Sequence, residues 1–234
     1  MSGIGMKRMA AIVLLVLVAA APITAQSVGG GLSFWLPESQ YLTGEGSVGV
    51  ETALGSSLGL GDFLSLPFGL VYSQVYGLMP EIDGTLGELP WFYADSIALF
   101  LMGKVRIPMG PVYVDAFGGV NGAWHAGLRP LTKNIEADIA ATDRLYTFQD
   151  AIGVEGGNLG WGWQAGGALG VTIDQISVDL NVTYRLINAP ATITGTYADV
   201  DPAAGTVTVD NGYSQALNLR LAGLSIGIDA SFRM

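Results

Sequence analysis

The sequence predicts an all-β protein, a transmembrane antiparallel up-and-down β-barrel of eight strands. Three observations point there: one hairpin of unbroken period-two alternation, a composition rich in both apolar residues and glycine, and connections that alternate between short and long.

The hairpin lies between Trp161 and Leu186. Trp161, Trp163, Ala165, Gly167, Leu169, Val171 and Ile173 alternate with Gly162, Gln164, Gly166, Ala168, Gly170 and Thr172. After Asp174-Gln175, Ile176, Val178, Leu180, Val182, Tyr184 and Leu186 alternate with Ser177, Asp179, Asn181, Thr183 and Arg185. Successive side chains of a strand point to opposite faces, so each run carries one apolar face and one small or polar face. Two such runs around a two-residue break form a hairpin. Each apolar row runs about 11 to 13 residues, close to the roughly 9–11 that a tilted strand needs to cross a bilayer. The tryptophans at the end remote from the turn suit an interfacial aromatic girdle.

Half of the 234 residues are apolar and only 13% are charged, with a mean hydropathy of +0.44. Beyond the N-terminus no run of about 18 apolar residues makes a membrane helix. The apolar residues are interleaved instead with 34 glycines, which suit the crowded inward positions of a small barrel. The chain has no cysteine, which excludes a disulfide scaffold, a thiolate metal site and a cysteine nucleophile. Net charge is −10. That balance argues against a nucleic-acid partner, which requires a basic stripe.

Taken in order, residues 1–25 hold Lys7 and Arg8, an apolar run from Met9 to Ala21, and Pro22-Ile23-Thr24-Ala25. This is the pattern of a secretory signal peptide cleaved after Ala25, leaving 26–234 as the barrel. Strands are expected over 28–36, 45–54, 64–76, 95–107 and 112–124, then the two strands of the hairpin, then 214–232. The parity of 64–76 is ambiguous between Phe68/Leu70/Tyr72 and Val71/Val75. Segments 55–62, 108–111 and 174–175 are the short turns. Segments 37–44, 77–94, 125–159 and 188–213 form the opposite set, with a short helix after Thr132 and a hairpin extending the last two strands outward. The last strand carries Leu217, Leu219 and Leu221, then Leu224, Ile226 and Ile228. That change of parity predicts a β-bulge at Gly223.

The alternation places Glu51, Asp115, Asp179 and Asp229 inside the barrel with Lys104, Arg106, Arg185 and Arg220. Charges in a narrow lumen must be paired or hydrated, so a balanced set predicts mutual pairing that fills the interior, with a gated polar pore as the alternative. Trp124, Trp161, Trp163 and Tyr184 are the expected interface anchors. His125, the only histidine, falls at the outer end of its strand, and no serine stands two positions on, so it reads as a girdle or loop histidine. Asp199, Asp201 and Asp210 cluster without the spacing of a calcium loop. No metal or cofactor is expected.

The C-terminal Ser225-Ile226-Gly227-Ile228-Asp229-Ala230-Ser231-Phe232 resembles the signal read by the outer-membrane barrel assembly machinery, with Gly227, Ala230 and Phe232 at its defining places. Arg233-Met234 follow the aromatic residue, where many such proteins end on it. With the signal peptide and the hairpin, the chain resembles the small bacterial outer-membrane barrels of the OmpA-transmembrane, OmpX and OmpW kinds. That resemblance implies a non-enzymatic protein of a Gram-negative outer membrane. It would touch outer-membrane lipids, have an envelope or porin-like role, and pass at most small solutes or small apolar molecules. The alternative is an adhesin or ligand-binding protein acting through residues 125–159 and 188–213. A soluble lipocalin-like barrel would instead put the apolar rows inside.

Overall fold

The computed structural model describes residues 27–37, 49–60, 63–139 and 145–234. The expected signal peptide and residues 45–48 of the second strand lie outside that set. Eight long strands form the barrel: β1 (Ser27–Pro37), β2 (Gly49–Gly59), β3 (Leu64–Ile82), β5 (Phe92–Met109), β6 (Val112–Pro130), β9 (Leu159–Ile173), β10 (Ile176–Asp201) and β11 (Thr206–Arg233). Each pairs antiparallel with its neighbour, and β11 closes the ring against β1. Three short strands, β4 (Thr85–Leu86), β7 (Leu145–Phe148) and β8 (Gly153–Gly156), and one helix, α1 (Thr132–Ile139), decorate one end. No helix among the described residues is long and apolar enough to cross a membrane. The short turns and both described termini share one end, hereafter the turn end; the opposite end is the loop end.

The register fixes the tilt. A row of cross-strand partners leaves β6 at His125 and passes Ser96, Ser73, Glu51, Ser33, Gly227, Asn181 and Ala168. It returns to β6 at Asp115, ten residues away. A stagger of that size over eight strands sets the strands at about 40° to the axis. An eight-stranded barrel has an interior just wide enough for side chains.

The apolar rows face outward. Leu32, Phe34, Leu54, Leu99, Leu101, Leu169, Leu180 and Ile228 are all exposed, which excludes the lipocalin-like arrangement. In β3 the outward row is Phe68, Leu70 and Tyr72, while Val71 and Ser73 are buried inside. Pairing of β3 with β5 skips between Val75 and Leu78. Gly77, at φ +133°, supplies the backbone that a side chain would resist, and beyond it Leu78 turns inward.

The expected bulge at Gly223 is absent. β11 pairs without a break to β10 from Phe232 to Tyr213 and to β1 from Arg233 to Gly223. Odd-numbered residues of β11 therefore face inward along this whole stretch. What changes is the chemistry of each face. On β10 the inward row is polar from Ser177 to Arg185 and then becomes Ile187, Ala189, Ala191 and Ile193, all buried. On β11 Leu217, Leu219 and Leu221 are buried inside, followed by Gly223, Ser225, Gly227 and Asp229. Toward the turn end the barrel is polar inside and apolar outside; above the Arg185 level it is apolar inside and polar outside. A chain in lipid needs the first arrangement and a chain in water the second.

This moves one charged residue. Arg220, expected in the lumen, lies on the outer face, with its guanidinium 3.7 Å from Glu81. There β3 reaches past the ends of β1 and β2 and pairs β11 directly, Glu81 opposite Asn218 and Met79 opposite Arg220. The apolar interior predicts a clear asymmetry between neighbours. Leu219→Ala is expected to cost about 2–5 kcal/mol of unfolding free energy through lost transfer and a residual cavity. Asn218→Ala, exposed on the opposite face, should stay within about 0.5 kcal/mol; equal effects in urea titrations would refute the continuous register.

Candidate functional site: the lumen and its closure

Of the eight charges expected inside, seven are there, in two groups. The upper group is centred on Glu51, which is 1% exposed. Arg185 reaches across from β10 and sets its Nη1 2.6 Å from Glu51 Oε1, a pair separated by 134 residues of chain. Ser73 donates to the same carboxylate oxygen, Ser33 donates to the other at 3.4 Å, and Arg185 Nε donates to Gln164 at 3.1 Å. The guanidinium carbon stands 5.5 Å from the Trp35 ring centroid. The pair forms a crossbar with its hydrogen-bonding capacity used in several directions, as a buried ion pair must.

The lower group surrounds Asp115, its carboxylate 1% exposed. Arg106 donates to both its oxygens at 2.8 Å, in the bidentate geometry its planar fork allows. Lys104 Nζ lies 3.3 Å from the same carboxylate. Arg106 also stacks 3.4 Å from the Tyr113 ring centroid, and the Tyr113 hydroxyl donates to Asp179 at 3.0 Å. Asp179 faces Asp229 across the β10–β11 pair. A cavity of about 180 Å³ runs between the groups, bordered by Glu51, Lys104, Asp115, Asp179, Arg185 and Asp229.

Above the crossbar the interior is filled. Trp35, Leu78, Phe92, Ile187, Leu219 and Leu221 are each buried to within 1% of complete, and Ile135 of α1 packs into the same cluster. Sequence reasoning missed this plug because its residues come from strands whose inward row is polar lower down. His125 belongs to this level. It is fully buried on the inner face of β6, not a girdle or loop residue, and neither ring nitrogen has a hydrogen-bond partner among the described residues.

The helix after Thr132 is present and caps the plug. Trp91 Nε1 donates to Asp138 at 2.8 Å, and Leu89 N donates to the same carboxylate at 3.3 Å; Asn134 donates to the Pro90 carbonyl at 2.7 Å, and Glu136 accepts from Phe148 N at 2.7 Å. Burial holds the Asp138 carboxyl above its ordinary value of 3.8 in spite of those donors. The folded state thus binds this proton more tightly than the unfolded chain. The group's contribution to stability therefore falls as pH rises through a window opening near pH 3.8. Asp138→Asn, which keeps an acceptor for Trp91, is expected to flatten the stability profile of the cap above that pH. Tryptophan fluorescence of the folded barrel against pH checks it; an unchanged slope would remove Asp138 as the cause.

Trp124, Trp161, Trp163 and Tyr184 all lie on the outer face near one level, with Trp161 73% exposed and the Trp163 and Tyr184 rings 5.5 Å apart. Asp201 and Asp210 accept from backbone N–H groups at Ala203, Ala204 and Gly212. Asp201 thus serves the turn at the hairpin tip, and Asp210 the irregularity where pairing skips between Gly195 and Tyr197. No group of three metal-ligating side chains occurs among the described residues. Gly227 packs inward opposite Ser33, while Ala230 and Phe232 face outward.

The crystal structure of the outer membrane protein OprG from Pseudomonas aeruginosa is similar over 90% of this chain and 98% of that one, at 13% identity and a TM-score of 0.50. A major outer membrane protein from Thermus thermophilus aligns over 89% of this chain and 98% of that one, at 15% identity and a TM-score of 0.47. The likeness to the first is one of fold. No family model and no curated protein matches the chain.

Proposed function

We propose that the chain is a non-enzymatic integral barrel of a Gram-negative-type outer membrane, closed along its axis. In this reading residues 1–25 direct export and are removed near Ala25, the turn end faces the periplasm and the loop end the exterior. The apolar belt beneath the tryptophans meets outer-membrane lipid, and Gly227, Ala230 and Phe232 are read by the assembly machinery. The observation that carries the closed lumen is the Glu51–Arg185 crossbar beneath a fully buried apolar plug. A charge pair with a filled interior above it leaves no continuous water path for ions. The barrel then serves the envelope structurally, with passage limited to small solutes or small apolar molecules that leave sideways. In planar bilayers the refolded protein is expected to show no steady openings, and Lys104→Ala to show none either. Stable conductance from the unaltered protein would overturn the closed-lumen reading.

A second reading, binding at the cell surface, has its own support. The β10–β11 hairpin runs on to Asp201 and Thr206 and is braced by β7 and β8, with α1 holding β7 through Glu136. Removing residues 199–209 should leave refolding intact and abolish attachment of cells displaying the protein; unchanged attachment would refute a binding role for the tip.

A further inference from the structure

The lumen is not uniform in charge, and its turn-end mouth differs in kind from the chamber above it. The chamber is bordered by four carboxylates and two cations. The mouth, a cavity of about 210 Å³ that adjoins the chamber and shares Ser27, Ser57, Lys104 and Ser231 with it, is lined by Lys104, Arg106 and Arg233 and by five serines, and among the described residues no carboxylate lines it. The serines are Ser27, Ser57, Ser65, Ser177 and Ser231, one each from β1, β2, β3, β10 and β11, so five strands contribute a serine to the lining, the Ser177 hydroxyl also lying 2.9 Å from that of Thr172. Among the described residues the carboxylate paired to the lining is Asp115, shared by Lys104 and Arg106 from deeper inside. Arg233 has no ion-pair partner among the described residues. Lys104 and Arg106 share Asp115, with Asp179 and Asp229 bordering the chamber above, so Arg233 is the lining cation that no carboxylate offsets among the described residues.

We propose that this mouth is a blind binding pocket for a phosphate group. Three features select that chemistry. The cations and hydroxyls supply N–H and O–H donors, and oxyanions accept from several such donors at once. The volume falls below the roughly 300–1,000 Å³ of ordinary small-molecule sites, so it suits a compact anion rather than an extended ligand. The crossbar and plug close the far side, so an anion entering from the turn end is held instead of conducted. Lys104 is the movable donor, because Arg106 is fixed bidentate to Asp115 and stacked on Tyr113. Nothing in this pocket depends on what the loop end does.

The test is calorimetric titration of inorganic phosphate into the full barrel, folded in a nonionic phosphate-free detergent at low ionic strength. One-site saturable binding is expected. Lys104→Gln with Arg233→Gln should weaken it by about tenfold or more through loss of two charge-assisted contacts. Arg129→Gln with Lys133→Gln, at the opposite end, should leave it unchanged. Arg233→Gln alone, at the end of β11, tests the site should the double variant fail to fold. A second arm adds phosphatidylglycerol to the micelles. Competition with phosphate identifies a lipid headgroup as the source, and its absence a soluble phosphate compound. No saturable binding, or binding indifferent to Arg233 and Lys104, would overturn the proposal.

Discussion

Arg185→Ala is expected to destabilise the barrel by about 3–5 kcal/mol, the largest effect of any single substitution proposed for this chain. The loss comes less from the missing attraction than from what it leaves behind. Glu51 is 1% exposed and would keep, among the described residues, the hydroxyls of Ser73 and Ser33, too little to solvate an unpaired carboxylate. Replacing both partners, Glu51→Leu with Arg185→Leu, should recover most of the loss, since a buried ion pair can often be exchanged for apolar packing at little net cost. Urea midpoints of the folded band on unheated gels measure all three. Arg185→Ala as stable as the unaltered protein would mean that water from the chamber below solvates Glu51.

Leu180→Arg should cost about 2–4 kcal/mol, as a cation at mid-depth on a lipid-facing strand does. Leu180 is 53% exposed and sits between Leu169 and Ile228, themselves 55% and 59% exposed. Val207, at 61%, is at least as exposed, yet it stands on the distal hairpin. Val207→Arg is expected to fall within about 0.5 kcal/mol. The two sites have similar accessibility and differ in the solvent they meet. Refolding into vesicles with urea titration separates them, and equal costs would mean that the belt does not lie in lipid.

How far the chain could be read depended on which solvent each stretch meets. In β9 and the lower half of β10 one rule holds throughout, apolar out and polar in, and period two alone assigns every face. The same rule misplaced Arg220. Leu217, Leu219 and Leu221 look like a lipid-facing row shifted by one residue, when they are an inward row beyond the lipid. A bulge and an exchange of polarity leave the same trace in a single strand; only the unbroken pairing to β10 and β1 tells them apart. β3 was unreadable for a related reason, since Val71 inside and Leu70 outside are both apolar. The inward charges follow from parity, but their partners do not. Nothing local distinguishes Glu51 meeting Arg185, 134 residues away, from Glu51 meeting Lys104. His125 was missed because its burial is set by neighbours on other strands.

The seam where β11 meets β1 has a consequence for how the ring completes itself. Gly31 stands directly opposite Asp229, and a Cβ at Gly31 would collide with the Asp229 carboxylate; at Gly227 it would collide with Ser33. Each edge thus offers a notch where the other presents a side chain. A slip by one residue turns every side chain to the wrong face, and a slip by two toward Ser33 sets the carboxylate against a hydroxymethyl group in place of the notch. The final join is keyed by shape, each glycine of one edge standing where the other edge presents a side chain.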